Sequence, residues 1–151
     1  MPKAALFDLD GALADISLIP VIHPGDPRLE ELESRPDHPR VVPAHDWVVE
    51  LADEQRRAGI AVIVLTSRRE RWRARSKEWL VMRRVPFDAL IMRADTDDRP
   101  EVEFKQAALA TIQQQYDVVL AVDDNPTVIR LWSDRGIPTR LVAGWRDRPM
   151  L

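Results

Sequence analysis

The sequence predicts an α/β fold, a doubly wound three-layer sandwich with a mainly parallel five-stranded sheet, on three observations. Short apolar runs of strand length recur along the chain, stretches with helical apolar spacing separate them, and acids, hydroxyls and a base stand at the ends of the runs. Strands separated by helices need crossover connections, which are right-handed and give a parallel sheet covered on both faces. The polar strand ends then fall on one edge, where such sheets bind ligands at the point at which strand order reverses.

Lys3–Phe7 is the first strand, broken by polar residues and Gly11. Ile16 to Val42 differs in kind. Pro20, Pro24, Pro27, Pro36 and Pro39 deny it regular structure beyond a helical turn near Leu29–Leu32, so residues 16–42 read as a long Pro-rich loop or a minimal cap. From Pro43, Trp47, Val48, Leu51 and Ala52 form the apolar stripe of a helix that Gly59 ends. Ile60–Leu65 is a β-branched strand. Thr66 and Ser67 lead into a helix carrying Trp72, Trp79, Leu80 and Arg83, and Ser67 with Glu70 fits a capping box at its start. Ala89–Met92 is the third strand and Arg93–Pro100 a polar loop. Phe104, Ala108 and Ile112 mark the next helix, and Val118–Val122 the fourth strand. Asn125 is placed to cap the last helix, with Pro126 at its first position and Gly136 beyond its end. Thr139–Val142 is the last strand, and a short tail follows from Gly144.

The 151 residues suit a single domain over 1–151, and 45% hydrophobic content allows a core of its own. No run of about twenty apolar residues occurs and the N-terminus lacks a signal-peptide pattern, so a soluble, cytoplasmic protein without a membrane partner is expected. Cysteine is absent, which excludes disulfides, thiolate catalysis and Cys-based zinc sites; any metal must be held by oxygen or histidine. The net charge of -3 argues against a globally basic nucleic-acid binder. Locally, five arginines crowd Arg68–Arg75 while acids gather in Asp8–Asp15 and Asp95–Asp98, so a basic face and acidic clusters coexist.

Asp8 and Asp10 follow the first strand, Thr66 and Ser67 the second, Arg93 the third, and Asp123 and Asp124 the fourth. Carboxylates two residues apart on extended backbone point to one side, so that one attacks while the other handles protons. A carboxylate nucleophile suits phosphoryl transfer, because an aspartyl-phosphate splits one hard displacement into two easier ones. Its repulsion of a phosphate dianion must be offset, and a hard cation held by Asp8, Asp123 or Asp124 and backbone carbonyl oxygen would do that; magnesium fits such an all-oxygen site, with Asp10 a further candidate ligand. Thr66 and Ser67 offer hydroxyls to a phosphate at a helix start, and Arg68, Arg93 and Arg99 offer bidentate contacts. Lys105 by itself reads as a solvated charge. Most arginines of Arg69–Arg84 read as solvated or paired with acids such as Glu70 and Glu78, with backbone contacts to DNA or RNA the functional alternative. Trp47, Trp72, Trp79, Trp132 and Trp145 read as core or half-buried rather than as stacking platforms. His23, His38 and His45 have no ligand-like spacing.

Asp-x-Asp-Gly after strand one, Thr after strand two, Lys in the helix before strand four and Asp-Asp after strand four resemble the four motifs of haloacid dehalogenase (HAD) superfamily phosphatases, whose core is Rossmann-like. The resemblance implies Asp8 as nucleophile, Asp10 as general acid/base, Thr66 as phosphate ligand, Lys105 as charge neutraliser and the Asp123-Asp124 pair as magnesium ligands. Ala12 departs from the Thr or Val usual in the family. A phosphorylated receiver domain uses similar groups but has its acidic pair after strand one and its acceptor mid-chain, an order this chain lacks. Neither gap between motifs holds a large cap domain, so an open site that admits a polymer end is expected. The C-terminal two-thirds further resembles the 3′-phosphatase domain of phage-type polynucleotide kinase/phosphatase. Thr66 with Arg68, the strand ending at Met92-Arg93, Arg99 and Glu101 ahead of Lys105, Leu120–Asp124 and the helix with Trp132 carry that resemblance. No Gly-x-x-x-x-Gly-Lys-Ser/Thr loop occurs, so no kinase half is expected. The expected activity is hydrolysis of a phosphate ester, either the 3′-phosphorylated end of DNA or RNA or a nucleotide. A small-metabolite phosphatase and a non-catalytic binding domain on the same fold are the alternatives.

Overall fold

The computed structural model describes residues 1–17 and 42–144. Strands β1 (Lys3–Phe7), β2 (Ala61–Arg69), β3 (Ala89–Arg93), β4 (Asp117–Asp123) and β5 (Thr139–Leu141) form one sheet in the order β3-β2-β1-β4-β5, with every pairing parallel. Helices α1 (Asp46–Arg57), α2 (Arg73–Met82), α3 (Glu101–Ile112) and α4 (Pro126–Asp134) make the crossovers.

The two-residue period of the strands divides the core in two. Ala5 and Phe7 of β1 and Val62 and Val64 of β2 face one side, where Val48 and Ala52 of α1 and Trp79 and Leu80 of α2 close over them. Ala4, Leu6, Ile63 and Leu65 face the other, against Phe104, Leu109 and Ile112 of α3 and Val128 and Trp132 of α4. The doubly wound three-layer architecture is therefore present, and its sheet is parallel throughout. Ala4 pairs with Val118 but Ala5 with Leu120, so Val119 is an extra residue that lets Val118 and Ala121 face the same core.

α4 starts as expected. Asn125 Oδ1 accepts from the Thr127 N–H at 3.0 Å, and Pro126 takes the first helical position. The start of α2 differs. β2 runs on through Thr66 and Ser67 to Arg69, a 3-10 turn covers Glu70–Trp72, and α2 begins only at Arg73, with no side-chain cap on either. Pairing of Arg69 with Arg93 keeps this segment extended, so the capping box does not form.

Residues 18–41, which hold the expected turn at Leu29–Leu32 and nearly all of the Pro-rich loop or minimal cap, lie outside the described residues, as does the tail from 145. The two ends of that excursion are tied together. Asp15 N–H donates to Pro43 O at 2.8 Å, His45 N–H to Leu13 O at 2.9 Å, and Ala14 pairs antiparallel with Ala44. The excursion thus leaves and returns beside the Asp8–Ala14 turn. Among the described residues no helix is long and apolar enough to cross a membrane.

Candidate active site

Strand order reverses between β1 and β4, and two carboxylates meet there. Asp8 directly follows β1, its N–H donating to Val122 O at 2.9 Å, and Asp123 ends β4. Lys105 reaches them from α3. Its fully buried ammonium donates to Asp8 Oδ1 at 2.9 Å and to Asp123 Oδ2 at 2.7 Å, and lies 3.0 Å from Glu101 Oε1. Glu101 and Lys105 are four residues apart and share one face of α3. Asn125 completes the cluster: its N–H donates to Asp123 Oδ1 at 2.9 Å and its Nδ2 to Glu101 Oε2 at 3.2 Å. Glu101 and Asn125 were not among the expected site residues.

Charge in this cluster is unbalanced. Burial, and then the Asp123 charge, push the Asp8 carboxyl well above its ordinary 3.8, although Lys105 pulls it down. Burial alone would favour a neutral Lys105, but Asp8, Asp123 and Glu101 outweigh it and hold the ammonium well above its ordinary 10.5. A single ammonium therefore faces three carboxylates in a setting where unpaired charge is costly. A divalent cation fits this excess. One oxygen each of Asp8, Glu101 and Asp123 lies within 4.8 Å of the others, and all three are the hard donors magnesium prefers.

Asp124 is buried beside Gly11. Gly11 has φ +92°, and a Cβ on it would come within 1.9 Å of Asp124 Oδ2. Glycine is required here both for the backbone and for the carboxylate's room. Gly11→Ala is expected to displace Asp124 and strain the turn at a cost of about 1–3 kcal/mol. Thermal unfolding with and without magnesium checks this, the expected result being a lower Tm and weaker stabilisation by the ion.

Asp10 faces a different partner. Arg68 forks it with Nε and Nη2, both at 2.7 Å, and Arg68 Nη1 reaches Ser76 Oγ at 3.3 Å. Ser76 is itself buried and donates to Trp72 O at 2.9 Å. Thr66 is buried, and its Oγ1 accepts from the Arg68 N–H at 3.1 Å, which leaves the hydroxyl proton for another acceptor. Ser67 is half-buried next to it in β2. Because α2 starts at Arg73, no helix N-terminus stands behind Thr66, contrary to expectation.

Arg93 and Arg99 lie in and around the loop that follows β3. Arg93 is buried, donates from Nη1 to Arg99 O at 2.7 Å and Asp97 O at 3.3 Å, and lies 5.2 Å from the Phe104 ring centroid. Arg99 grips Asp97 at 3.0 and 2.6 Å, bonds that hold this carboxyl well below the usual carboxylate range. The structure brings Asp8, Lys105 and Asp123 together and pairs Asp10 with Arg68; these guanidinium hydrogen bonds of Arg93 and Arg99 go to the loop after β3. His45, assigned no role from sequence, donates from Nδ1 to Ala12 O at 2.8 Å, with Nε2 3.7 Å from Asp15 Oδ1, and so braces the turn that carries Asp8.

Comparison with known proteins agrees with this geometry. A family model described as the polynucleotide kinase PNKP phosphatase domain matches residues 2–144. Two solved structures are similar at 25% identity over 94% of this chain. "Structure of Pnkp1/Rnl/Hen1 complex" gives a TM-score of 0.76 over 46% of its chain, and "Structure of the Pnkp1/Rnl/Hen1 RNA repair complex" gives 0.75 over 42%. The chain thus spans less than half the length of either. No curated protein matches closely. On the match of residues 2–144, the chain belongs to the HAD-type family of PNKP phosphatase domains.

Proposed function

We propose that this chain is a magnesium-dependent phosphomonoesterase that works through an aspartyl-phosphate on Asp8 and acts on the 3′-phosphorylated end of a nucleic acid. The observation that carries the reading is the buried Lys105 ammonium bridging Asp8 and Asp123 at the switch point of the sheet. Lys105 takes Oδ1 of Asp8, which leaves Oδ2 as the attacking oxygen. That oxygen attacks phosphorus as the ester P–O bond breaks, and Asp10, which must first take up a proton on an oxygen freed from the Arg68 fork, gives that proton to the departing oxygen. Asp10 then takes a proton from water, which attacks phosphorus, breaks the bond to Asp8 and releases phosphate. Thr66 donates its hydroxyl to a phosphate oxygen, and Arg68, whose fork on Asp10 supports a role in orienting that carboxyl, is assigned a further contact to the phosphate. Ser67 is assigned to the outer substrate contacts, whereas the guanidiniums of Arg93 and Arg99 bond the loop that follows β3. Asp8, Glu101 and Asp123, with Asp10 and Asp124 nearby in sequence, would hold magnesium, which supplies positive charge for the phosphate dianion. The family and the RNA repair complex named by a similar structure support a nucleic-acid end as substrate.

Two measurements test the chemistry. Exhaustive chelation is expected to silence phosphate release and magnesium to restore it, with zinc a poor substitute for an all-oxygen site; turnover that survives chelation contradicts the metal assignment. Asp10→Asn is expected to slow first-turnover release of a sugar alcohol by about 100-fold or more, the usual range of general acid catalysis. Release of a phenolate in the same assay should fall far less, because that leaving group needs no proton. Equal losses would move Asp10 to a structural role.

A further inference from the structure

Resting on the reading of the site as a phosphatase for nucleic-acid ends, we infer that Trp72, with Arg71 and Arg75 against its ring, is a stacking platform for a base of the strand whose phosphorylated end enters the Asp8 site.

Most arginines of this segment have structural work. Arg69 pairs with Asp98 at 2.9 Å and donates to Asp95 O and Asp97 O at 2.7 and 3.0 Å. Arg73 forks Glu70 at 2.7 Å twice and donates to Leu90 O at 3.0 Å. Arg71 is different: its side chain is exposed, makes no ion pair among the described residues, and lies 5.6 Å from the Trp72 ring centroid. Arg75 lies 5.1 Å from the same centroid. Two guanidiniums against one ring offer positive charge beside a π-face, which a ligand bringing both negative charge and an aromatic ring complements.

The ring is also fixed before any ligand arrives. The Arg71 N–H donates to Asp95 Oδ1 at 3.0 Å, Trp72 O accepts from Ser76, and the half-buried indole packs on the core beneath it. The same Ser76 hydroxyl accepts from Arg68, whose fork holds Asp10. One side chain therefore joins the platform to the residue proposed to protonate the leaving strand. A polynucleotide alternates anionic phosphates with aromatic bases, the pattern that arginine, tryptophan, arginine complements, whereas a small sugar phosphate carries no second phosphate or base.

The test compares kcat/KM for a short 3′-phosphorylated oligonucleotide with that for the same oligonucleotide made abasic at each of its last three positions. Wild type is expected to lose about tenfold at one position, the scale of a single base-aromatic stack. In Trp72→Leu and in Arg71→Ala the ratio of intact to abasic substrate should fall toward one. Should Trp72→Leu fail to fold, Arg71→Ala carries the test, since its side chain is exposed and lies over the ring. A wild-type ratio near one at every position, or a ratio unchanged in both variants, overturns the platform while oligonucleotide turnover still stands. Hydrolysis of an aryl phosphate with no turnover of any oligonucleotide overturns the substrate reading together with it.

Discussion

Asp8→Asn is expected to lower single-turnover phosphate release by about four orders of magnitude or more while the fold stays intact. The amide cannot form an acyl-phosphate, so the loss falls on the chemical step. The fold should survive because the substitution removes one charge from a cluster that has too many: Asp8 shares the ammonium of Lys105 with Asp123 and Glu101, and burial already disfavours its ionised form. Unfolding midpoints near wild type beside abolished phosphate release is the expected pair of results. Activity near wild type would remove Asp8 from the nucleophile's role.

Lys105→Met should act mainly on stability. Its ammonium is fully buried and contacts three carboxylates within 3.0 Å, so its removal leaves Asp8, Asp123 and Glu101 facing one another without a cation. Breaking a buried pair of this kind costs about 3–5 kcal/mol, and for a domain of this size that lowers Tm by about 10 °C. The pH dependence has a definite sign. Lys105 pulls the Asp8 pKa down, so without it a carboxyl already raised by burial is raised further. A carboxyl whose folded pKa exceeds its unfolded value binds its proton more tightly in the folded state. The variant should therefore regain stability as pH falls through the folded pKa of Asp8, the gain being complete below the unfolded value. Magnesium should restore part of the loss at neutral pH. Thermal melts across pH, with and without the ion, check both; a Tm unchanged from wild type contradicts the cluster's electrostatics.

The sheet was legible because its strands are apolar runs, β-branched in β2 and β4, separated by helices with apolar stripes, and the two-residue alternation in β1 and β2 is what divides the core. Asp8, Lys105 and Asp123 were legible from their order along the chain. Glu101 was not, although it stands four residues before Lys105: an acid in the first turn of a helix is ordinarily explained by the helix dipole, and only the contacts to Lys105 and Asn125 show otherwise. The extension of β2 was hidden for a similar reason. Thr66-Ser67-Arg68-Arg69-Glu70 has the local pattern of a helix start, and its extended form rests on Arg69 pairing with Arg93, more than twenty residues away. Arg93 and Arg99 were read for what a guanidinium offers a phosphate, but carbonyls and a carboxylate of the intervening loop supply nearer acceptors. Sequence spacing does not display that competition.

The most direct measurement traps the phosphoryl group. Asp10→Asn is mixed with an aryl phosphate and magnesium, a leaving group that departs without its acid, and the reaction is quenched in acid at successive times; the missing base then slows hydrolysis of whatever intermediate forms. Mass spectrometry of the digested protein should find the peptide containing Asp8 heavier by one phosphoryl group, the species rising and then decaying, and absent when Asp8 is also replaced by Asn. Release of the aryl alcohol with no phosphorylated peptide at any time, or with the group on another residue, would contradict the account.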